Sequence, residues 1–150
     1  MAANEIKKAW NTFKKEIAKE VTFINLTGAC YMNRKQLENG TATISLACNI
    51  PYDTEIARCY ASIERVNGYT TWTDAEKKNN EEYYNRGIKA FENRKATYGT
   101  PANEAKTEYN AIIGSKAFQK LAAAIGINHT ELELVSKGRG LDVFQVRIHY

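Results

Sequence analysis

A catalytic centre in this chain would have few parts to draw on. The reactive side chains are three cysteines, Cys30, Cys48 and Cys59, and two histidines, His129 and His149. A thiol enzyme sets its cysteine beside an imidazole base that a third group orients. The three cysteines fall on apolar stretches, where a thiol behaves as a small buried hydrophobe. His129 follows Gly126 in a loop beside Thr130, and His149 stands one residue from the end on the outward side of an expected strand. No local signature joins a cysteine to either histidine. Zinc wants three or four convergent Cys, His or carboxylate ligands, and the spacings supply no such cluster. Glu81 and Glu82 are adjacent on an expected helix and point about 100° apart, as a solvated face does rather than an acid/base pair. Lys137-Gly138-Arg139-Gly140 is glycine-rich and basic, but it lacks Walker spacing and a following helix. It reads as a turn whose Lys and Arg can grip an anion. These residues predict no enzyme, no metal and no cofactor.

What remains is chemistry for binding. Arg34 and Lys35 sit near one expected hairpin loop, and Lys137 and Arg139 at another. Tyr69 and Trp72 bracket a polar-aromatic loop, Tyr69-Thr70-Thr71-Trp72. Were the two hairpins side by side, their basic ends, with Tyr31 and Tyr69, would form a patch suited to nucleic acid or an acidic protein groove.

The elements that must position these residues follow from periodicity and caps. Ile6, Trp10, Phe13 and Ile17 mark one face of an amphipathic helix, with Lys8, Thr12, Lys15 and Lys19 opposite. Those lysines read as a solvated face or as a basic stripe for phosphates or an acidic surface. Val21 to Leu26, extending towards Met32, is strand-like. Thr41 to Cys48 alternates, with Ala42, Ile44, Leu46 and Cys48 on one side. Asn39-Gly40 between them predicts a tight hairpin turn with positive φ. Pro51 stops the strand. Asp53 then caps a helix whose buried stripe is Ile56, Tyr60 and Ile63 with Cys59 or Val66, ending at Asn67-Gly68. Thr73 and Glu76 form a capping box for a helix running to about Tyr98, with Tyr84, Ile88, Phe91 and Tyr98 inward and Gly99 as cap. Thr100-Pro101 opens another helix, with Ala105, Tyr109 and Ile112 on one face. The phase breaks at Gly114-Ser115, and Phe118, Leu121 and Ile125 start a new face. A second hairpin closes the chain. Leu132 and Leu134 lead to a turn over Ser136 to Gly140, and Phe144, Val146, Ile148 and Tyr150 then face inward. The order α-β-β-α-α-α-β-β predicts an α+β fold, an antiparallel sheet of two hairpins with helices packed on one face.

At 150 residues the chain has the size of one domain spanning 1–150 and needs no disulfide or metal staple. A net charge of +4 permits an acidic partner without demanding one. An odd cysteine count predicts reduced thiols and a cytoplasmic protein. The sequons at Asn25, Asn39 and Asn128 matter only in a secretory pathway. The N-terminal stretch MAANEIKKAWNTFKKEIAKE lacks the apolar core of a signal peptide, and no stretch approaches the ~20 apolar residues of a membrane span.

The stretch EEYYNRGIKAFENRKATYGTPANEAKTEYNAII and the ending FQVRIHY resemble, in texture, the small accessory proteins of phages and mobile elements. In size and charge the chain is similar to anti-CRISPR and related anti-defence inhibitors. That resemblance implies stoichiometric action, by occluding a nuclease surface or its nucleic-acid channel, and the positive charge speaks against an acidic DNA mimic. The expected function is a non-enzymatic inhibitor or adaptor acting on a protein or ribonucleoprotein. The alternative is direct nucleic-acid binding through the basic hairpin ends, and a third reading is a small enzyme built on a cysteine or His129.

Overall fold

The computed structural model describes residues 1–22, 29–46, 51–138 and 141–150. Helix α1, Ala3–Glu20, buries Trp10, Phe13 and Ile17 of its expected stripe. The rings of Trp10 and Phe13 lie 5.2 Å apart, and Phe13 meets Phe118 edge-on at 6.4 Å. Strand β1 is Cys30–Tyr31 alone; Val21 and Thr22 stand outside any strand. The rest of the run expected from Val21 to Leu26, and Cys48, lie outside the described residues.

The connection from β1 to β2, Thr41–Ser45, differs from the expected tight turn. It holds a short helix, α2, Arg34–Asn39. Asn33 accepts from the Gln36 amide at 2.8 Å, and Gln36 returns the favour to the Asn33 amide at 2.9 Å, so the helix starts on a complete capping box. Six residues with no buried side chain leave no apolar stripe to read in sequence. Gly40 does take positive φ, 72°, but as a left-handed helix cap. A side chain there would meet the Tyr150 carbonyl oxygen at 2.7 Å.

Helix α3, Tyr52–Asn67, begins one residue before the expected cap. Asp53 therefore lies in its first turn and binds Lys95 at 2.8 Å instead of capping. The buried positions are Tyr52, Cys59 and Val66, while Ile56 and Ile63 are half-buried and Tyr60 faces outward. Helix α4, Asp74–Tyr98, starts on the Thr73–Glu76 capping box and ends at Gly99. Helices α5, Pro101–Ile113, and α6, Lys116–Ile125, are separate, because Ser115 caps the second and also donates to the Ile112 carbonyl at 2.6 Å.

Strands β3, His129–Gly138, and β4, Leu141–His149, complete one antiparallel sheet in the order β1-β2-β4-β3. The fold is thus α+β, with a four-stranded sheet of two hairpins. Ser136, Lys137 and Gly138 pair with Val143, Asp142 and Leu141, so they extend β3 rather than forming the expected turn. A register shift between Leu134 and Ser136 absorbs the change of phase. Ala42, Ile44, Val146 and Ile148 are fully buried and carry the main core together with Trp10, Phe13, Ile17, Ile112, Phe118 and Leu121. Helices α1, α5 and α6 therefore cover one face of the sheet. Tyr52, Cys59, Val66 and Ile88 are buried outside this cluster, along the seam between α3 and α4. No described helix is long and apolar enough to cross a membrane.

Candidate binding site

The antiparallel register decides what the basic residues can do together. Thr41, which follows α2, pairs with His149 at the far end of β4, whereas Gly138 pairs with Leu141 at its beginning. Eight residue steps, about 26 Å, separate these two ends of β4. Arg34 and Lys35 therefore stand at one end of the sheet, while the backbone of Lys137 lies at the other. Arg139 is outside the described residues. The joint patch expected from two adjacent hairpin ends does not form from Arg34, Lys35 and Lys137. The Arg34 side chain is 93% exposed and pairs only loosely with Glu38, at 3.4 Å.

Tyr69 and Trp72 lie elsewhere, at the tip of the helical hairpin that α3 and α4 form. Their ring centroids are 6.0 Å apart. The tip is tied back by Lys77, whose ammonium donates to the Asn67 carbonyl at 3.2 Å. Two further tyrosines stand out from the same hairpin: Tyr60 is 55% exposed and Tyr83 63%. Sequence reasoning placed Tyr60 inside and passed over Tyr83. Only Ile88 of the 25 residues of α4 is fully buried, so this helix is solvated nearly all round.

The hairpin is anchored at its base by a polar cluster that no motif announces. Arg94 of α4 donates from Nε and Nη2 to the two carboxylate oxygens of Glu104 in α5, each at 2.9 Å. Tyr52 of α3 donates to the same carboxylate at 2.6 Å. The Arg94 guanidinium also lies over the rings of Tyr52 and Phe91, 5.6 and 5.1 Å from their centroids. Burial alone would lower the Arg94 pKa, but the bond and charge of Glu104 hold it above its ordinary value. Burial, then the bond to Glu104, raises that of the Tyr52 phenol. Glu108, one turn further along α5, is buried with Oε2 unpartnered. Burial and the nearby charge of Glu104 push its carboxyl up to about 7. The signal in sequence was faint: Glu104 and Glu108 run beside the apolar stripe of Ala105, Tyr109 and Ile112, spaced to share a helix face.

Among the described residues, the remaining titratable groups show no nucleophile with its base. Burial raises the Cys30 thiol to about 11, only partly offset by Lys14, and raises Cys59 as well. His129 and His149 stack at 5.6 Å and both face Glu131, at 3.8 and 3.3 Å, on an open part of the sheet. The bond from His149, together with its charge, holds Glu131 below the usual carboxylate range. Among the described residues, no group of three His, Cys, Asp or Glu is arranged to hold a metal ion. No protein-family model, curated protein or solved structure matches the chain.

Proposed function

We propose that the chain is a stoichiometric binding protein, an inhibitor or adaptor of the anti-defence kind, that docks on a protein or ribonucleoprotein through the outer half of the α3–α4 arm. One observation carries this reading. Of the five exposed tyrosine and tryptophan rings among the described residues, four, Tyr60, Tyr69, Trp72 and Tyr83, lie on that arm. All four fall within about 15 Å of its tip along the helix axes. Tyrosine and tryptophan dominate binding energy at protein interfaces, and they offer large rigid area at little entropic cost.

The arm's charges are balanced, with eight acidic and eight basic residues between 52 and 98. Phosphate-backbone binding rests on many cations of one sign. A mixed-charge surface studded with aromatic rings favours a protein face instead. Affinity purification from the native host, with and without nuclease, tests the proposal when wild type is compared with a Trp72→Ala/Tyr83→Ala variant. The expected result is a protein retained at a fixed ratio by wild type after nuclease treatment and lost by the variant. Retention by the variant, or binding that vanishes with nuclease, would overturn it.

A further inference from the structure

We infer that a second site, the cleft between α1 and the sheet edge at β1, binds a nucleoside phosphate; this goes beyond the role of the arm. The cleft has a volume of about 310 Å³, which is the scale of a small-ligand site. Lys7, Asn11 and Lys14 line it from α1, at positions that share one helix face.

Its charge is uncompensated. Lys7 and Lys14 contribute two ammonium groups; among the described residues no carboxylate lines the cleft, and neither lysine has a salt bridge or hydrogen bond. The apolar groove between α1 and α6 makes the contrast. There Lys8 and Lys120 are matched by Glu5 and Glu16, and Lys120 binds Glu16 at 2.9 Å. Lys7 and Lys14 are two helical turns apart, about 10 Å along the axis, so their flexible stems can close on one phosphate from both sides.

A tryptophan forms part of the wall. Trp10, another lining residue, is 3% exposed, and its indole N–H is buried with no acceptor. A ligand seated in the cleft changes the surroundings of this indole, and the Trp10 N–H resonance reads that change. The remaining wall suits a nucleoside. Tyr31 presents a 40% exposed ring on the short edge strand, available to stack on a base. Asn33 spends Oδ1 on the Gln36 amide, which leaves its NH₂ to donate.

The test uses ¹⁵N-labelled full-length protein. Trp10 and Trp72 give the only two indole N–H resonances, and Trp72→Phe assigns them. Adenosine monophosphate, adenosine and inorganic phosphate are titrated separately. The expected result is a saturable shift of the Trp10 indole with the nucleotide, at least tenfold tighter than with either fragment. Lys7→Ala/Lys14→Ala should weaken nucleotide binding tenfold or more with an unchanged melting temperature. Tyr31→Ala should weaken the nucleotide but not phosphate. A missing Trp10 shift, phosphate binding as tightly as the nucleotide, or an unaffected double-lysine variant would each overturn the inference. None of these outcomes depends on the arm, so the two proposals fail separately.

Discussion

Glu108 is a carboxylic acid whose chemistry departs far from its ordinary behaviour. Its carboxyl titrates near 7 in the fold, against 4.5 for an unperturbed glutamate. Between those values the unfolded chain gives up a proton that the native state keeps. The native state binds more protons, so stability falls as pH rises through this window and levels off above it. Glutamine keeps the shape and removes the titration. Thermal melts of Glu108→Gln and wild type should therefore agree best below pH 4.5, diverge from there to pH 7 with the variant the more stable, and stay parallel at higher pH. Curves that run parallel throughout would mean that Glu108 ionises freely in the fold.

At the scale of elements, local chemistry decided most of what could be read in advance. The Thr73 capping box, Thr100-Pro101 and Gly99 announce their helix ends because each needs only neighbours in sequence. Helix α2 has the same kind of cap but no apolar stripe, and so it passed for a turn. Two substitutions examine how elements hold one another. Gly87 sits inside α4, where a Cβ would meet Cys59 Sγ of α3 at 3.6 Å, an ordinary contact. Gly87→Ala should stabilise the protein by about 0.5–1 kcal/mol through helix propensity alone, read from denaturant midpoints. Glu20, the last residue of α1, accepts from the amides of Lys116 and Ala117 at 2.9 and 2.8 Å, and so caps α6 from outside. Glu20→Ala should cost about 1 kcal/mol in the same assay. A neutral result would show that water replaces this cap without loss.

At the scale of the molecule the limits of sequence reading become clear. Alternation showed which side of β2 and β4 is buried, but not that the ends of the two hairpins point apart. That fact lives in the pairing of Thr41 with His149, more than a hundred residues away. Likewise the expected stripe of Ile56, Tyr60 and Ile63 with Cys59 or Val66 says that α3 buries a face, not which residues carry it, nor that they pack along α4 and stay out of the main core. This separation has an energetic consequence. Among the described residues the arm holds four buried apolar or aromatic side chains, against seventeen in the central cluster, and its attachment runs through Arg94, Tyr52 and Glu104. Regions with few buried contacts open at lower free energy than the whole. Native-state hydrogen exchange should therefore show the amides of α3 and α4 exchanging through a partial opening that leaves β2, β4 and α1 protected. Glu104→Ala removes the carboxylate that takes two hydrogen bonds from the partly buried guanidinium, a change that costs on the order of 3 kcal/mol when a buried pair is broken. Its effect should fall first on the arm, speeding exchange there while the sheet keeps its protection until global unfolding. Equal acceleration in arm and sheet would show that the two unfold as one unit, and that the polar joint belongs to the core rather than to a hinge between a binding arm and its support.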